Sequence, residues 1–209
     1  MTGLRRAFGA ALLLFLLAPA VAGAAPIAAA ALSAEDSATL QRIALYLNGI
    51  RTMTGRFQQT ASGGVSTGRV WIARPGRMRF EYDPPNPTVV LADMFYVYYW
   101  DNELKQTQQI SLKSTPAWFL LRDPIGFTAD VTVTRFERSG NVIRVSVVET
   151  AQPEAGTLTM VFTENPLILQ QWNVVDQQGK ATTVALHDLQ FGMALDPKLF
   201  QYQDPFHRQ

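Results

Sequence analysis

The chain has 209 residues, no cysteine, and 18 basic against 17 acidic side chains, so its formal net charge is +1. The lack of cysteine excludes disulfides, thiol nucleophiles, cysteine-bound metals and the thiol that bears a bacterial lipid anchor. The near-neutral charge argues against a general nucleic-acid binder, and the length suits one domain with its own core.

Residues 1–24 have the pattern of a secretory signal peptide. Arg5 and Arg6 form a positive n-region, an apolar stretch follows, and Ala22-Gly23-Ala24 resembles a cleavage site. The apolar stretch is too short and too rich in alanine and proline for a membrane span. Without this segment the basic count falls from 18 to 16 against 17 acids, a net charge of −1. We predict an exported mature chain of residues 25–209 that forms a single domain.

One amphipathic helix is predicted at the start of this domain. Ser33 is a suitable N-cap and Asp36 lies in the first turn. Apolar residues then recur at helical spacing from Leu40 to Ile50, and Asn48-Gly49 provides a stop. The apolar stripe must pack against another element.

From residue 55 onward the hydrophobic period is two, which is typical of strands. Eleven short segments show it, separated by turn residues: 55–60, 68–74, 77–82, 88–92, 95–100, 104–112, 131–137, 142–149, 157–162, 168–175 and 181–190. Short strands with brief connections predict an antiparallel sheet, and eleven of them predict a sheet that curls or closes. The fold is therefore mainly β with α.

A second, short helix is predicted within residues 114–124. Ser114 or Thr115 is the candidate cap and Pro116 the first helical residue. The residues from Trp118 to Leu121 are apolar on nearly every side of this helix. We expect it to contact a hydrophobic surface on more than one side.

Four arginines lie within residues 69–79, and the alternation of side chains along the strand predicts which face two of them occupy. Met78, Phe80 and Tyr82 share one face of the strand, and Arg77 and Arg79 share the other with Glu81. We predict that the apolar face is inside and that the two arginines lie on a solvated outer face.

Arg74 is on the face of Val70 and Ile72, at the end of its strand. If that face points inward, the guanidinium must find acceptors such as loop or helix-end carbonyls, because an unpaired buried charge costs several kcal/mol. Alternatively, the bend at Pro75-Gly76 carries Arg74 into solvent. The pattern alone leaves both interpretations open.

A curved sheet covered by apolar helices favours a hydrophobic cavity, the usual setting of an apolar ligand site. Each candidate for its lining is also an ordinary core residue. The candidates are Val70, Ile72, Met78, Phe80 and Tyr82 from the strands, with Trp118 and Phe119 from the short helix.

Catalytic patterns are absent from the sequence. His187 and His207 are its two histidines, they are far apart, and no nucleophile elbow, zinc helix or phosphate loop occurs. Glu81 and Asp83 have the pattern of surface acids. We predict a protein without enzymatic activity, cofactor or metal.

Six segments in order resemble the LolA family of periplasmic outer-membrane lipoprotein carriers. "GRVWIARPGRMRFEYDPP" is the most specific; the others are "LNGIRTMTGRFQQT", "VLADMFYVYYWDNELKQ", "TPAWFLL", "WNVVDQQGKATTVAL" and "LFQYQDP". The resemblance covers essentially the whole mature chain. The chain ends soon after the last segment, so a C-terminal extension found in some members is short or absent.

The resemblance implies an unclosed antiparallel β-barrel of eleven strands, with the two helices as a lid over a hydrophobic cavity. It implies a monomeric periplasmic carrier in a Gram-negative bacterium, which takes acylated lipoproteins from an inner-membrane ABC transporter and delivers them to the outer membrane, where a separate acceptor can exist. The family's functional arginine corresponds to Arg74, which bonds to lid backbone and keeps the empty cavity closed. Met78 and Phe80 correspond to cavity-lining positions.

Two other functions are compatible with the same sequence. A periplasmic binding or sensor module for another lipid or glycolipid would share the cavity and differ in its bound cargo. A secreted hydrolase is the third hypothesis, and it lacks a nucleophile or base constellation.

Overall fold

The structure, a computed structural model, describes residues 28–85, 88–101 and 105–203. The predicted signal peptide and His207 lie outside the described residues. The elements are helices α1 (Ala34–Gly49) and α2 (Trp118–Leu121), and strands β1 (Thr52–Ala61), β2 (Gly64–Ala73), β3 (Arg77–Tyr82), β4 (Val89–Asp93), β5 (Tyr96–Asp101), β6 (Gln106–Ser111), β7 (Val131–Ser139), β8 (Val142–Glu149), β9 (Gly156–Thr163), β10 (Ile168–Asp176) and β11 (Ala181–Phe191).

All eleven strands form one antiparallel sheet in the order β6-β5-β4-β3-β2-β1-β11-β10-β9-β8-β7. Two meanders, β1 to β6 and β7 to β11, are joined where β1 pairs with β11. The strands β6 and β7 are the two edges, so the sheet is unclosed. The predicted fold class is thus confirmed.

Helix α1 begins and ends where the sequence predicts. Ser33 caps it in a reciprocal capping box: the Asp36 amide donates to Ser33 Oγ at 3.1 Å, and the Ser33 amide donates to Asp36 Oδ2 at 3.0 Å. The apolar stripe is buried at Leu40, Ile43 and Leu47. Burial of each such side chain stabilises the fold by about 1.5–3 kcal/mol, which docks the helix on the inner face of the sheet.

Helix α2 begins two residues later than predicted, at Trp118 instead of Pro116, and Ala117 is its N-cap residue. The hydroxyls of Ser114 and Thr115 instead donate backward, to the carbonyls of Ser111 and Leu112, each at 2.8 Å. They close a single 3₁₀ turn ahead of α2, so the predicted cap is wrong.

In the described part of the chain, no helix is both long enough and apolar enough to cross a membrane.

The outer face of the sheet carries a second apolar cluster, which the sequence analysis missed. Leu91, Tyr98 and Trp100 of the sheet are buried there together with Phe200 of the segment 195–202, which covers them. The ring of Tyr98 stacks on that of Tyr202 at 4.0 Å between centroids.

Arg79 belongs to this outer cluster. Its guanidinium lies 5.7 Å from the centre of the Trp100 ring and donates to the Leu199 carbonyl at 3.2 Å. The prediction of a solvated outer face is therefore wrong for Arg79, although Arg77 is exposed. The reason is that the C-terminal segment folds back over this part of the sheet.

Candidate functional site

An apolar cavity of about 140 Å³ lies between the inner face of the sheet and α2. Strands from both meanders contribute to its wall, together with Ala117 and Leu120 from the N-cap and body of α2. The lining residues are Gln59, Ile72, Met78, Phe80, Tyr82, Val90, Ala117, Leu120, Trp172 and Val184.

Interlocked aromatic rings form one side of this wall. The ring of Phe80 packs edge-on against Phe57 at 4.7 Å and against Trp172 at 6.2 Å between centroids. Phe57 also packs edge-on against Tyr82 at 5.0 Å. Such contacts add about 0.5–1.5 kcal/mol each beyond area burial, so they stabilise this side of the cavity.

Gln59, Tyr82 and Trp172 are the lining residues that carry polar side-chain groups, and two of them pair with each other. The Tyr82 hydroxyl donates to Gln59 Oε1 at 2.7 Å. Burial raises the pKa of Tyr82 to about 12, against a weaker lowering effect of this hydrogen bond. The hydroxyl therefore stays protonated at neutral pH and keeps its partner.

The structure brings four of the seven predicted lining residues together around the cavity: Ile72, Met78, Phe80 and Tyr82. Val70 is fully buried on β2 and does not line the cavity. Trp118 and Phe119 line a separate, smaller pocket of about 20 Å³ against β7 to β9. Because α2 begins at Trp118, it is Ala117 and Leu120, three residues apart, that face the larger cavity.

Sequence reasoning did not select six of the lining residues: Gln59, Val90, Ala117, Leu120, Trp172 and Val184. Alternation within β4, β10 and β11 could have indicated Val90, Trp172 and Val184, since each sits on an apolar face. Gln59 gives no such signal, because a glutamine in a strand is normally read as solvated.

Arg74 points inward, which resolves the two interpretations of the pattern. Its side chain is 9% exposed and donates three hydrogen bonds to backbone carbonyls. Nε donates to Ile50 O at 2.8 Å, Nη1 to Arg122 O at 3.2 Å, and Nη2 to Leu47 O. One guanidinium therefore joins the sheet to the C-terminal ends of both α1 and α2.

Such carbonyls can accept because the last turn of a helix leaves its C=O groups without the usual i+4 donors. Leu47 O also accepts a capping bond from Ile50 N at 3.1 Å. The C-terminal end of a helix is also partly negative, and α1 has no basic residue in its last turn. Arg74 supplies that cation from the sheet. Burial lowers the pKa of its guanidinium, and the nearby Asp123 carboxylate opposes the effect.

Three further contacts hold the same junction. The Asn48 side chain donates to Ile125 O at 2.8 Å and accepts from Ile125 N at 2.9 Å. Gly76 N donates to Leu121 O at 2.8 Å. Arg51 pairs with Asp123 at 2.5 Å, but the Arg51 side chain is 60% exposed, so this pair adds little.

The carboxylates near the cavity have structural partners on the outer face. Asp83 pairs with Arg56, whose hydrogen bonds lower the pKa of Asp83, and Glu81 pairs with Arg79 at 2.6 Å. Among the described residues, no three His, Asp or Glu side chains cluster in a way that could hold a metal ion. The exposed His187 lies on β11.

Residues 48–203 match the sequence profile of a family described as outer membrane lipoprotein carrier protein LolA. A protein named outer-membrane lipoprotein carrier protein from Pseudomonas paraeruginosa is 29% identical over 183 residues, which span 82% of this chain and 86% of that protein. A protein of the same name from Legionella pneumophila is 27% identical over 168 residues, 76% of this chain and 82% of that protein.

Among solved structures, a similar fold occurs in a putative outer membrane lipoprotein-sorting protein domain from Vibrio parahaemolyticus. The TM-score is 0.48 at 11% sequence identity, and the alignment covers 80% of this chain and 97% of that one.

Proposed function

This chain belongs to the LolA family, and from that premise we propose that it is a periplasmic chaperone that carries acylated lipoproteins from the inner to the outer membrane. The observation that carries the proposal is an apolar cavity whose two covering helices are both tied to the sheet by a buried arginine. In this proposal Arg74 closes the lid, and Ile72, Met78, Phe80 and Tyr82 contact acyl chains.

The size of the cavity supports a carrier whose lid must move. An apolar cavity of about 150 Å³ holds a ligand the size of benzene, and the cavity here is about 140 Å³. Several acyl chains need far more room than this. In this proposal, cargo enters when α1 and α2 lift from the sheet and expose its buried inner face.

The chemistry of the Arg74 contacts supports this opening. Three hydrogen bonds to carbonyls are strong enough to favour a closed state, since charged hydrogen bonds contribute about 1.5–3 kcal/mol each. They are also reversible, because they involve no covalent link and little apolar surface. Opening subtracts their free energy from the gross affinity for cargo.

Such a subtraction is useful to a carrier. Each acyl CH₂ buried in a membrane is worth ~0.8 kcal/mol, so an acylated lipoprotein resists leaving its membrane. A carrier must bury the acyl chains about as favourably as the membrane does but not more favourably, because otherwise the cargo would not be released. We propose that an ATP-driven inner-membrane transporter loads the carrier and that the outer membrane, with or without a separate acceptor, receives the cargo.

The test is native mass spectrometry of the mature chain purified from a Gram-negative periplasm, beside Arg74→Leu. Arg144→Leu is the matched control, because Arg144 is exposed on β8. We expect acylated lipoproteins to co-purify, to dissociate in detergent, and to be retained more strongly by Arg74→Leu than by the parent or the control.

Three results would count against the proposal. Phospholipid or glycolipid as the bound species would favour the lipid-binding module instead. A chain that neither co-purifies with lipoproteins nor accepts them from transporter-bearing membranes would not be a carrier. Equal retention by Arg74→Leu and Arg144→Leu would remove the role of Arg74.

A further inference from the structure

The turn between β4 and β5 presents apolar side chains to solvent. Met94, Phe95 and Tyr96, here called the β4–β5 tip, are 39%, 71% and 42% exposed. Large apolar groups exposed side by side mark interaction sites more often than isolated ones do. The proposed binding of acyl chains in the cavity does not explain why these apolar side chains are exposed.

The backbone holds this exposed arrangement firmly. The Asp93 carboxylate accepts hydrogen bonds from Phe95 N at 3.3 Å and from Tyr96 N at 3.0 Å. Met94 has a φ of 87°, a backbone conformation that residues other than glycine rarely adopt. Strain of this kind persists where the surroundings enforce it, and it clusters at functional segments.

Two exposed cations flank the tip. Arg77 lies opposite Asp93 in the β3–β4 pairing, and Lys113 follows Leu112, whose amide donates to Phe95 O at 2.8 Å. The nearby Asp93 carboxylate is engaged by the turn. Exposed aromatic and aliphatic side chains with adjacent cations match the interface of a bilayer that contains anionic lipid.

The tip also lies at the lid end of the sheet. Met94 N donates to Gly76 O at 2.8 Å, and Gly76 N in turn donates to Leu121 O of α2. Gly76 is two residues from Arg74 in the chain. A surface that contacts the tip is therefore next to the junction between the sheet and the lid.

We propose that the β4–β5 tip is a membrane-docking surface. Phe95 and Met94 insert into the headgroup and acyl boundary of a bilayer, while Arg77 and Lys113 contact anionic phosphates. Docking in this way places the lid end of the sheet against the membrane. The proposal concerns the cargo-free chain, so it stands or falls independently of which lipid fills the cavity.

The test is co-sedimentation of the cargo-free mature chain with two kinds of vesicle. One contains phosphatidylglycerol in phosphatidylethanolamine, and the other is pure phosphatidylcholine. The variants are Phe95→Ser and the double change Arg77→Gln with Lys113→Gln. Leu45→Ser is the matched control, because Leu45 is 75% exposed on α1, away from the tip.

We expect the parent to bind the anionic vesicles and to bind phosphatidylcholine more weakly. Phe95→Ser removes aromatic area that becomes buried in the bilayer, so it should weaken vesicle binding about tenfold. Each cation removed should weaken vesicle binding about fivefold. Leu45→Ser should bind like the parent. Circular dichroism and thermal unfolding of each variant establish that it is folded.

Several outcomes would overturn the proposal. They are a parent that binds neither kind of vesicle, equal binding of the parent to both kinds, and equal losses in Phe95→Ser and Leu45→Ser. Parental vesicle binding by a folded Phe95→Ser would also overturn it, and would leave a protein partner as the occupant of the tip.

Discussion

Arg74 and Arg79 lie on opposite faces of one hairpin, and each fastens a different segment to the sheet. Arg74 projects inward to the C-terminal ends of the two helices. Arg79 projects outward to the segment 195–202, through the Trp100 ring and the Leu199 carbonyl. The hairpin that looks like a basic patch in the sequence therefore acts as a two-sided anchor.

Replacing Arg74 should loosen the lid more than it destabilises the whole fold. Arg74→Leu removes the side-chain donors of Ile50 O and Arg122 O, whereas Leu47 O still accepts from Ile50 N, so we expect a loss of about 1–3 kcal/mol in unfolding free energy. Amide hydrogen exchange should accelerate about tenfold or more in the last turn of α1 and in α2. Arg74→Lys should be intermediate, because an ammonium cannot reproduce the planar fork. Exchange that accelerates equally in β8 and β9 would indicate global loosening instead.

Replacing Arg79 should release the C-terminal segment. Arg79→Ala removes a cation–π contact and a carbonyl bond, so we expect a loss of about 1–2 kcal/mol and faster proteolysis within residues 195–203. Arg135→Ala is the control, because Arg135 pairs with Glu137 two residues on, as Arg79 does with Glu81, but the Arg135 side chain is 67% exposed. Equal proteolysis in both variants would mean that the ion pair alone matters.

Filling the cavity from its fixed wall should block acyl binding. Val184 is buried and faces the cavity from β11, so Val184→Phe should lower the affinity for a fluorescent fatty acid about tenfold or more. The free volume should limit the cost in stability to about 1–3 kcal/mol. The same change at Val65, which is 63% exposed on β2, should leave affinity unchanged. Unaltered binding by Val184→Phe would place the acyl chain elsewhere.

The polar pair in the cavity should behave as one unit. Gln59→Leu leaves the Tyr82 hydroxyl without its acceptor, and Tyr82→Phe leaves the Gln59 amide without its donor. The losses in unfolding free energy of the two single variants should therefore sum to more than the loss in the double variant. We expect a coupling free energy of about 1 kcal/mol in a double-mutant cycle measured by urea unfolding. Additive effects would show that water replaces the missing partner in each case.

Stability should fall at alkaline pH, in part because of Tyr82. Its pKa is raised to about 12 in the folded protein, against about 10 in an unfolded chain. Above pH 10 the unfolded chain releases this proton while the folded protein retains it, so unfolding becomes easier as pH rises to 12. The loss has an upper limit of about 3 kcal/mol. Urea unfolding at several pH values should show a smaller alkaline decline for Tyr82→Phe, and an identical decline would contradict the assignment.

The sequence by itself determined the elements and most of their bounds to within two residues, although β1 and β2 begin three and four residues earlier than predicted. Ser33 as the cap of α1, its end at Gly49 and the eleven strands all follow from residues within a few positions of one another. Periodicity and turn chemistry express local backbone preferences, so a single chain read in order reveals them. Four of the cavity residues follow from the same alternation.

Tertiary structure decided what each face meets. The direction of Arg74 depended on carbonyls that lie 24 to 48 residues away in the chain, and the burial of Arg79 on one that lies 120 residues away. The start of α2, and hence the choice of Leu120 over Trp118 and Phe119 for the cavity, depended on how the hydroxyls of the preceding turn were used. A sequence pattern shows that a side chain needs a partner. Only packing of distant segments, which must satisfy all buried groups together, selects that partner.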